Sequence, residues 1–231
     1  MKPLRMIGIF GGTFDPVHNG HLRAAVESME HLALDRIRLL PAGTPPHRSS
    51  THASAPHRLA MLQRAVGDCA NLWLDDREIR RGGYSYMVDT LREIRKEEGS
   101  DVALLLLIGQ DAANALDSWH EWRQLFHLTH IVIMRRPESR HVYSGQLFAE
   151  IQPRLVGDSH VLSESSCGLV LPLEVTQLAI SSSSIRQLIA TGASPRFLLP
   201  DAVMDYIYRH GIYSAGKSSV TPADRSLLAA P

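Results

Sequence analysis

Short apolar runs alternate with amphipathic segments along most of this chain. Because such runs are typical of buried strands, we predict strands at Leu4–Phe10, Ile37–Leu40, Leu72–Leu74, Val102–Ile108, Ile131–Met134 and Leu169–Leu173. Apolar residues recur at helical spacing between them, which predicts helices at Gly20–Leu34, His57–Val66 and Tyr86–Lys96. Strands and helices that take turns indicate an α/β fold, a doubly wound, mostly parallel sheet with helices on both faces.

The predicted fold class also indicates where a ligand binds. In open parallel sheets, ligands lie beyond the carboxyl ends of the strands. Four segments directly follow predicted strands: Gly11–His21, Pro41–Arg48, Gly109–Asp111 and Arg135–Pro137. We therefore expect the site to be built from these segments.

One domain is predicted over residues 1–213, because a chain of 231 residues can bury most of its surface around one core. Residues 214–231 are rich in Ser, Ala and Pro, and we expect a poorly packed tail there. Residues 139–167 show no clear periodicity.

Composition narrows the function classes. Lys plus Arg number 24 and Asp plus Glu number 24, so the formal net charge is zero with the 12 His counted as neutral. A neutral chain is not expected to bind nucleic acid through bulk electrostatics, so an anionic substrate must be held by a few placed cations. Two cysteines, Cys69 and Cys167, are too few for a disulfide framework or a zinc site and favour a cytoplasmic location. No secretory signal and no apolar stretch long enough for a membrane span is found.

The segment Gly11–Leu22 carries the strongest chemical signal. It joins the first predicted strand to the first predicted helix, and its glycines allow the backbone to approach a ligand closely. The helix that begins near Asn19 offers free N–H groups and a positive dipole end, which suit phosphate. His18 and His21 flank that end and can donate hydrogen bonds to phosphoryl oxygens.

Other readings of this segment fit less well. A P-loop needs Gly-Lys-Ser/Thr, but no lysine lies between Lys2 and Lys96, and the dinucleotide fingerprint Gly-x-Gly-x-x-Gly is absent. His-x-x-His alone is a weak zinc pattern. The two histidines could also merely cap a helix.

Two motifs together resemble one superfamily. Gly12–His21 is similar to the Gly-x-Phe-Asp-Pro-x-His-x-Gly-His signature of the nucleotidyltransferases named for their His-x-Gly-His motif. Ile180–Arg186 is similar to their second signature, Ile-Ser-Ser-Thr-x-Ile-Arg, with Ser183 in place of Thr. Serine keeps the hydroxyl, and a serine run that enters a helix caps it before a fixed cation, Arg186.

Further segments resemble one branch, the bacterial nicotinate mononucleotide adenylyltransferases, over roughly residues 4–213. They are Pro45–Arg48, with Arg where that family has Lys; Tyr86–Leu91, with Met87 where it has Thr; Ile108–Asp111; Trp119; Arg135–Pro137; and Pro200–Tyr213. The related phosphopantetheine adenylyltransferases typically carry Thr where this chain has His18.

The resemblance implies roles for individual residues. Catalytic roles are implied for His18, His21 and Arg186. Contacts with ATP are implied for Gly11, Gly12, Thr13, Phe14, His18, His21, Arg48, Gly109, Asp111, Ile180, Ser181, Ser182 and Arg186. Contacts with the mononucleotide are implied for Asp15, His47, Tyr86, Met87, Trp119 and Arg136.

Several of these roles have plainer alternatives. Trp119 could be a core or surface aromatic, and Asp111 could be a helix N-cap. The charges of His47, Arg48 and Arg136 could simply be solvated on the surface.

The implied reaction joins ATP and nicotinate mononucleotide to give nicotinate adenine dinucleotide and pyrophosphate, a step of NAD biosynthesis. The resemblance implies Mg²⁺ as cofactor, bridging phosphate oxygens mostly through water, and no protein metal ligands. A homo-oligomer is possible, whereas nucleic-acid and membrane partners are not expected. Alternatives are an adenylyltransferase that prefers nicotinamide mononucleotide or phosphopantetheine, and a nucleotide-binding regulator without activity.

Overall fold

The computed structural model describes residues 3–45, 51–135, 145–176 and 178–214. Its strands are β1 (Arg5–Gly12), β2 (Arg36–Pro41), β3 (Leu72–Leu74), β4 (Val102–Gly109), β5 (His130–Arg135) and β6 (Val170–Glu174). Its α-helices are α1 (Asn19–His31), α2 (Ala55–Val66), α3 (Arg77–Arg81), α4 (Met87–Glu98), α5 (Gln110–Asn114), α6 (Leu125–Leu128), α7 (Gly145–Ile151), α8 (Ser182–Ala190) and α9 (Asp201–Arg209).

The six strands form one sheet in the order β3-β2-β1-β4-β5-β6, and every neighbouring pair is parallel. The register at its centre pairs Ile7 of β1 with Arg36 of β2 and with Leu104 of β4. The chain builds outward from β1 in both directions, so the strand order reverses between β1 and β4. Such a reversal opens a crevice at the carboxyl ends of these two strands, where α/β folds bind ligands.

Helices cover both faces of the sheet and form two cores, as the apolar pattern predicts. Residues of α1, α2, α8 and α9 pack on one face, against side chains such as Leu105 and Leu107 of β4. Residues of α4, α5, α6 and α7 pack on the other face, against Leu104 and Leu106. Because successive side chains of a strand point to opposite faces, β4 must be apolar at every position, and its residues from Val102 to Ile108 are all buried.

The strand predictions are confirmed, and the helix boundaries differ by a few residues. The first helix ends at His31 and not at Leu34, since Ala33 adopts a left-handed conformation with φ of 47°. The second helix begins at Ala55, before His57. Its buried stripe contains Arg58 as well as Leu62, which a purely apolar pattern does not predict.

The outermost strands of the sheet are short. β3 has three residues, and its Trp73 side chain is covered by the Arg36 guanidinium at 4.3 Å from the ring centroid. Beyond β6, the Val156 N–H donates to the Val170 carbonyl at 2.9 Å, and Leu155 forms a parallel bridge with Val170. This bridging segment lies in the region that shows no periodicity, where the structure places α7 and two short 3-10 turns.

In the part of the chain that the structure describes, no helix is both long enough and apolar enough to cross a membrane.

Candidate active site

The turn that leaves β1 is shaped by close contacts of its own side chains. Phe14 is 2% exposed and has a φ of 50°, which folds its ring back over the turn. A Cβ at Gly12 would lie 2.9 Å from that ring, so only glycine leaves room for it. The turn ends at His18, which precedes the first residue of α1.

The two motif histidines are stacked on each other at the start of α1. Their ring centroids lie 3.7 Å apart with an interplanar angle of 27°. The Phe14 ring meets His21 edge-on at a centroid distance of 5.1 Å. A Cβ at Gly20 would lie 3.0 Å from Nδ1 of His18, so a larger residue at this position would require the imidazole to shift. The sequence pattern therefore places two imidazoles at one helix N-terminus.

Burial keeps both imidazoles neutral at physiological pH. Desolvation lowers the pKa of His18 to about 4, and desolvation together with the nearby His18 lowers the pKa of His21 to about 3. The backbone N–H of His18 donates to Nδ1 of His21 at 3.3 Å, so neutral His21 carries its proton on Nε2. Nδ1 of His18 is buried and has no partner among the described residues. Both rings thus retain hydrogen-bonding capacity that the described part of the chain does not use.

The second motif lies against the same turn. Ser181 caps α8, since its hydroxyl accepts from the Ser184 N–H at 3.1 Å. The Ser182 hydroxyl donates to the Pro16 carbonyl at 2.9 Å, and the Arg186 guanidinium donates to the Asp15 carbonyl at 2.7 Å. The structure therefore brings the N-terminus of α8 and Arg186 to the segment that leads into His18.

Asp15 has different partners from those expected of a ligand contact. Its carboxylate is 1% exposed and accepts hydrogen bonds from the N–H groups of His52 and Ala53 and from the Tyr213 hydroxyl. These distances are 2.8, 3.0 and 2.6 Å. The carboxylate is thus occupied within the protein, and its direct contact with a mononucleotide stays a prediction.

Arg58 is a site-forming residue that the motif search misses. Its side chain is fully buried, and it donates to the carbonyls of Thr13 at 2.8 Å and Gly43 at 2.9 Å. These carbonyls belong to the loops that follow β1 and β2, so Arg58 holds the two loops together. An arginine at i−3 and i−4 from buried Met61 and Leu62 is the signal in the sequence, because it places a charge on the apolar stripe of a helix.

Two of the residues expected to contact the mononucleotide, Tyr86 and Met87, lie at the start of α4. Tyr86 precedes the helix and its ring lies 4.4 Å from the ring of His120, a residue that the motifs do not flag. Met87 reaches the end of β1, since a Cβ at Gly11 would lie 2.6 Å from its terminal methyl. Trp119 is partly buried against the second core. The Met87 side chain therefore connects the start of α4 to the end of β1.

The crevice is completed by the end of β4. Gly109 precedes α5, and a Cβ built on it would meet nothing within 4 Å. Asp111 is exposed in the first turn of α5. The backbone at Gly109 is thus open to a ligand, on the strand that lies beside β1.

Three predicted contacts, His47, Arg48 and Arg136, lie outside the described residues. Among the residues that are described, no group of three His, Cys, Asp or Glu side chains is arranged to hold a metal ion.

The chain is similar in sequence to a known family and to named relatives. Residues 9–188 match the family described as cytidylyltransferase-like. A probable nicotinate-nucleotide adenylyltransferase from Methylococcus capsulatus is 50% identical over 210 residues, 90% of this chain and 100% of that relative. A protein of the same name from Marinobacter nauticus is 44% identical over 207 residues, 90% and 96% of the two chains.

The fold is also that of a solved structure. Plasmodium falciparum nicotinic acid mononucleotide adenylyltransferase complexed with NaAD superposes with a TM-score of 0.69 at 17% identity, covering 90% of this chain and 97% of that one. The fold is therefore the Rossmann-like nucleotidyltransferase fold that the motifs implied. On the family match and the identity to its relatives, the chain belongs to the cytidylyltransferase-like family and, within it, to the nicotinate-nucleotide adenylyltransferases.

Proposed function

We propose that this protein transfers AMP from ATP to nicotinate mononucleotide, giving nicotinate adenine dinucleotide and pyrophosphate. The observation that carries the proposal is the stacked, neutral pair His18 and His21 at the N-terminus of α1, with Arg186 bonded to the turn before it. This group lies where the strand order reverses, and the relatives named above carry the same activity in their names.

The reaction needs no protein nucleophile. An oxygen of the mononucleotide 5′-phosphate attacks the α-phosphorus of ATP in line, and the bond from that phosphorus to the bridging oxygen of the β-phosphate breaks. Pyrophosphate leaves with the electron pair of this bond. The barrier comes from bringing two polyanions together, so positioning and charge stabilisation supply the catalysis.

Neutral imidazoles suit this task. The Nε2–H of His21 and an N–H of His18 donate to oxygens of the transferring and leaving phosphoryl groups, where negative charge builds up. The N–H groups at the start of α1 and of α8 add two positive dipole ends. Arg186 holds the β- and γ-phosphates with its remaining N–H groups, together with the main-chain amides at Ser181 and Ser182.

The mononucleotide lies on the α4 side of the crevice. Main-chain N–H groups near Tyr86 and Met87 bind the carboxylate of the pyridine ring, a contact that does not require the threonine found in other family members. The Trp119 indole faces the cationic ring, an interaction worth ~0.5–2 kcal/mol. Asp111 and the open backbone at Gly109 meet the adenosine portion.

We further propose that Mg²⁺ enters with the triphosphate, where it neutralises phosphate charge. This fits a site built from imidazoles, a guanidinium and main-chain amides, which are poor ligands for this hard cation. A cytoplasmic location, a homo-oligomeric state and the roles of His47, Arg48 and Arg136 stay predictions of the sequence.

The test is to incubate the pure protein with ATP and Mg²⁺ and either nicotinate mononucleotide, nicotinamide mononucleotide or phosphopantetheine, and to measure pyrophosphate. Release that is fastest with nicotinate mononucleotide supports the proposal. Faster release with another acceptor reassigns the substrate, and ATP binding without pyrophosphate from any acceptor means a nucleotide-binding regulator.

A further inference from the structure

The segment before His18 forms more hydrogen bonds to the rest of the protein than the proposed mechanism requires. The Asp15 carboxylate is bonded to the segment at His52 and Ala53 and to Tyr213, while the carbonyl of the same residue is bonded to Arg186. One residue therefore joins the catalytic turn to a loop segment, to α8 and to the chain beyond α9.

The buried carboxylate depends on these donors. A carboxylate removed from water loses stability for every oxygen lone pair that finds no partner. Two of its donors are main-chain N–H groups, which every residue except proline retains. The His52 imidazole lies 3.7 Å away and is 63% exposed. The Tyr213 hydroxyl, at 2.6 Å, is the side-chain donor that completes the set among the described residues.

Tyr213 is itself held firmly. The chain turns after α9 through Gly211, with φ of 61°, and Tyr213 has a φ of 67°. Between them Ile212 is buried, and its N–H donates to the Ile207 carbonyl at 3.0 Å. The hydroxyl is thus presented to Asp15 from a rigid corner rather than from a free terminus. Burial and the adjacent carboxylate raise the pKa of Tyr213, so the hydroxyl keeps its proton.

We propose that Tyr213 is a positioning residue for the catalytic turn, which it aligns by holding the Asp15 carboxylate. Through Asp15, Tyr213 fixes the position of the carbonyl that accepts from Arg186. It also fixes the direction in which the chain enters His18, three residues later. The consequence for catalysis rests on the proposed function, because it assumes that His18 and Arg186 act on ATP. A shift of the order of 1 Å in such groups lowers the rate steeply, whereas substrate binding, which has many contacts, changes less.

The test compares Tyr213→Phe with Tyr206→Phe. Tyr206 lies on α9, and its hydroxyl likewise forms a hydrogen bond to a distant part of the protein, with Nδ1 of His57 at 3.0 Å. It does not touch Asp15. We expect Tyr213→Phe to lower kcat by about 10-fold with less than about threefold change in either KM. The Tyr206→Phe variant should stay within about twofold of the parent in all three constants. Equal losses in the two variants, or no loss for Tyr213→Phe, would overturn the proposal.

A double variant tests the route through Asp15. If Tyr213 acts only through this side chain, Asp15→Ala with Tyr213→Phe should have the same kcat as Asp15→Ala alone, because alanine leaves the Tyr213 hydroxyl no acceptor at this position. If the fold-loss in kcat of the double variant is instead the product of the two single-variant losses, Tyr213 acts by another route.

Amide hydrogen exchange separates this proposal from the proposed function. Tyr213→Phe should speed exchange at the His52 and Ala53 amides, which donate to Asp15, and Tyr206→Phe should not. Unchanged exchange would refute the positioning role even in an active enzyme. A parent protein that releases no pyrophosphate would refute the proposed function. The exchange experiment would still test whether Tyr213 holds the Asp15 carboxylate.

Discussion

At the scale of single residues, the main feature is a pair of histidines that the fold keeps uncharged. A polyanion would ordinarily be met by cations, yet burial lowers the pKa of both His18 and His21 far below neutrality. In the proposed reaction they act as directed hydrogen-bond donors, whose strength grows as charge develops on the phosphoryl oxygens. The same proposal gives Arg186, a fixed cation, the task of holding the triphosphate.

The first prediction concerns His18. Replacing His18 by Ala removes a donor to the reacting phosphoryl group, so kcat should fall by ~10²–10³-fold. The KM for ATP should change much less, because the other phosphate contacts remain. Steady-state kinetics at saturating mononucleotide measures both constants, and a variant with parental turnover would exclude this role.

The second prediction concerns Arg186. Replacing Arg186 by Ala should weaken ATP binding by about 10-fold or more, as loss of a charge-assisted contact to phosphate does. Calorimetric titration with ATP measures this, with Arg196→Ala as the control, since Arg196 is an exposed arginine in the loop after α8. Normal ATP affinity in the Arg186 variant would remove this residue from the site.

Residue spacing in the sequence predicts much of the site, but it does not predict the contacts that hold the site residues in place. His18, Gly20 and His21 are separated as a helix start requires, so their convergence is predictable from the sequence alone. The sequence alone does not show that the Asp15 carboxylate binds other parts of the protein, because its partners His52, Ala53 and Tyr213 are 37 to 198 positions away along the chain. Only tertiary structure shows that the protein uses this carboxylate itself.

At the scale of elements, the crevice is formed where helices and strands end. α1, α4, α5 and α8 all begin near it or beside the strands that border it, so the positive dipole ends of several helices lie at this edge of the sheet. Strands and long helices are predictable because apolar runs and helical spacing repeat over several residues. The short α3, α5 and α6 have no such repeat, and only packing against the sheet defines them.

The third prediction belongs to the α4 side of the crevice. Trp119→Ala should weaken binding of nicotinate mononucleotide by roughly 2–30-fold, the range of a cation–π contact, and leave ATP binding unchanged. Trp73→Ala is a matched control, because Trp73 lies on β3 and stacks with Arg36. Separate titrations with each substrate distinguish the cases. If binding of both substrates falls equally, Trp119 supports the fold and not the ring.

At the scale of the whole molecule, a network of ion pairs connects β2, the start of α3 and the end of α4. Arg36 and Arg38 of β2 both donate to Glu98 at the end of α4. Arg38 and Arg77 both donate to Asp75, which follows β3. Although burial alone would raise them, these hydrogen bonds hold the pKa values of Glu98 and Asp75 below their ordinary values.

The fourth prediction is an acid-dependent loss of stability. A carboxylate whose pKa is lower in the folded state contributes stability above its unfolded pKa, about 4.3 for Glu, and this is lost as the pH falls through the folded pKa. Glu98→Gln should therefore cost about 1–3 kcal/mol at pH 7 and progressively less below about pH 4. Urea unfolding across this range measures the difference.

Glu174→Gln serves as the control for this experiment, because Glu174 is 54% exposed and pairs with Arg135 at the rim of the sheet. It should change stability by less than about 0.5 kcal/mol at either pH. A pH-independent loss in the Glu98 variant would show that packing, and not its charge, is what stabilises the protein.

The short outer strands have a consequence for behaviour at high concentration. An unpaired strand edge is a template on which another chain can add, and long, flat edges lead to aggregation. Here one edge offers only Leu72–Leu74, whose middle residue, Trp73, stacks with a guanidinium, and the other edge is partly occupied by the backbone at Leu155 and Val156. The molecule thus leaves little room for edge-to-edge association, although its net charge of zero gives it no long-range repulsion.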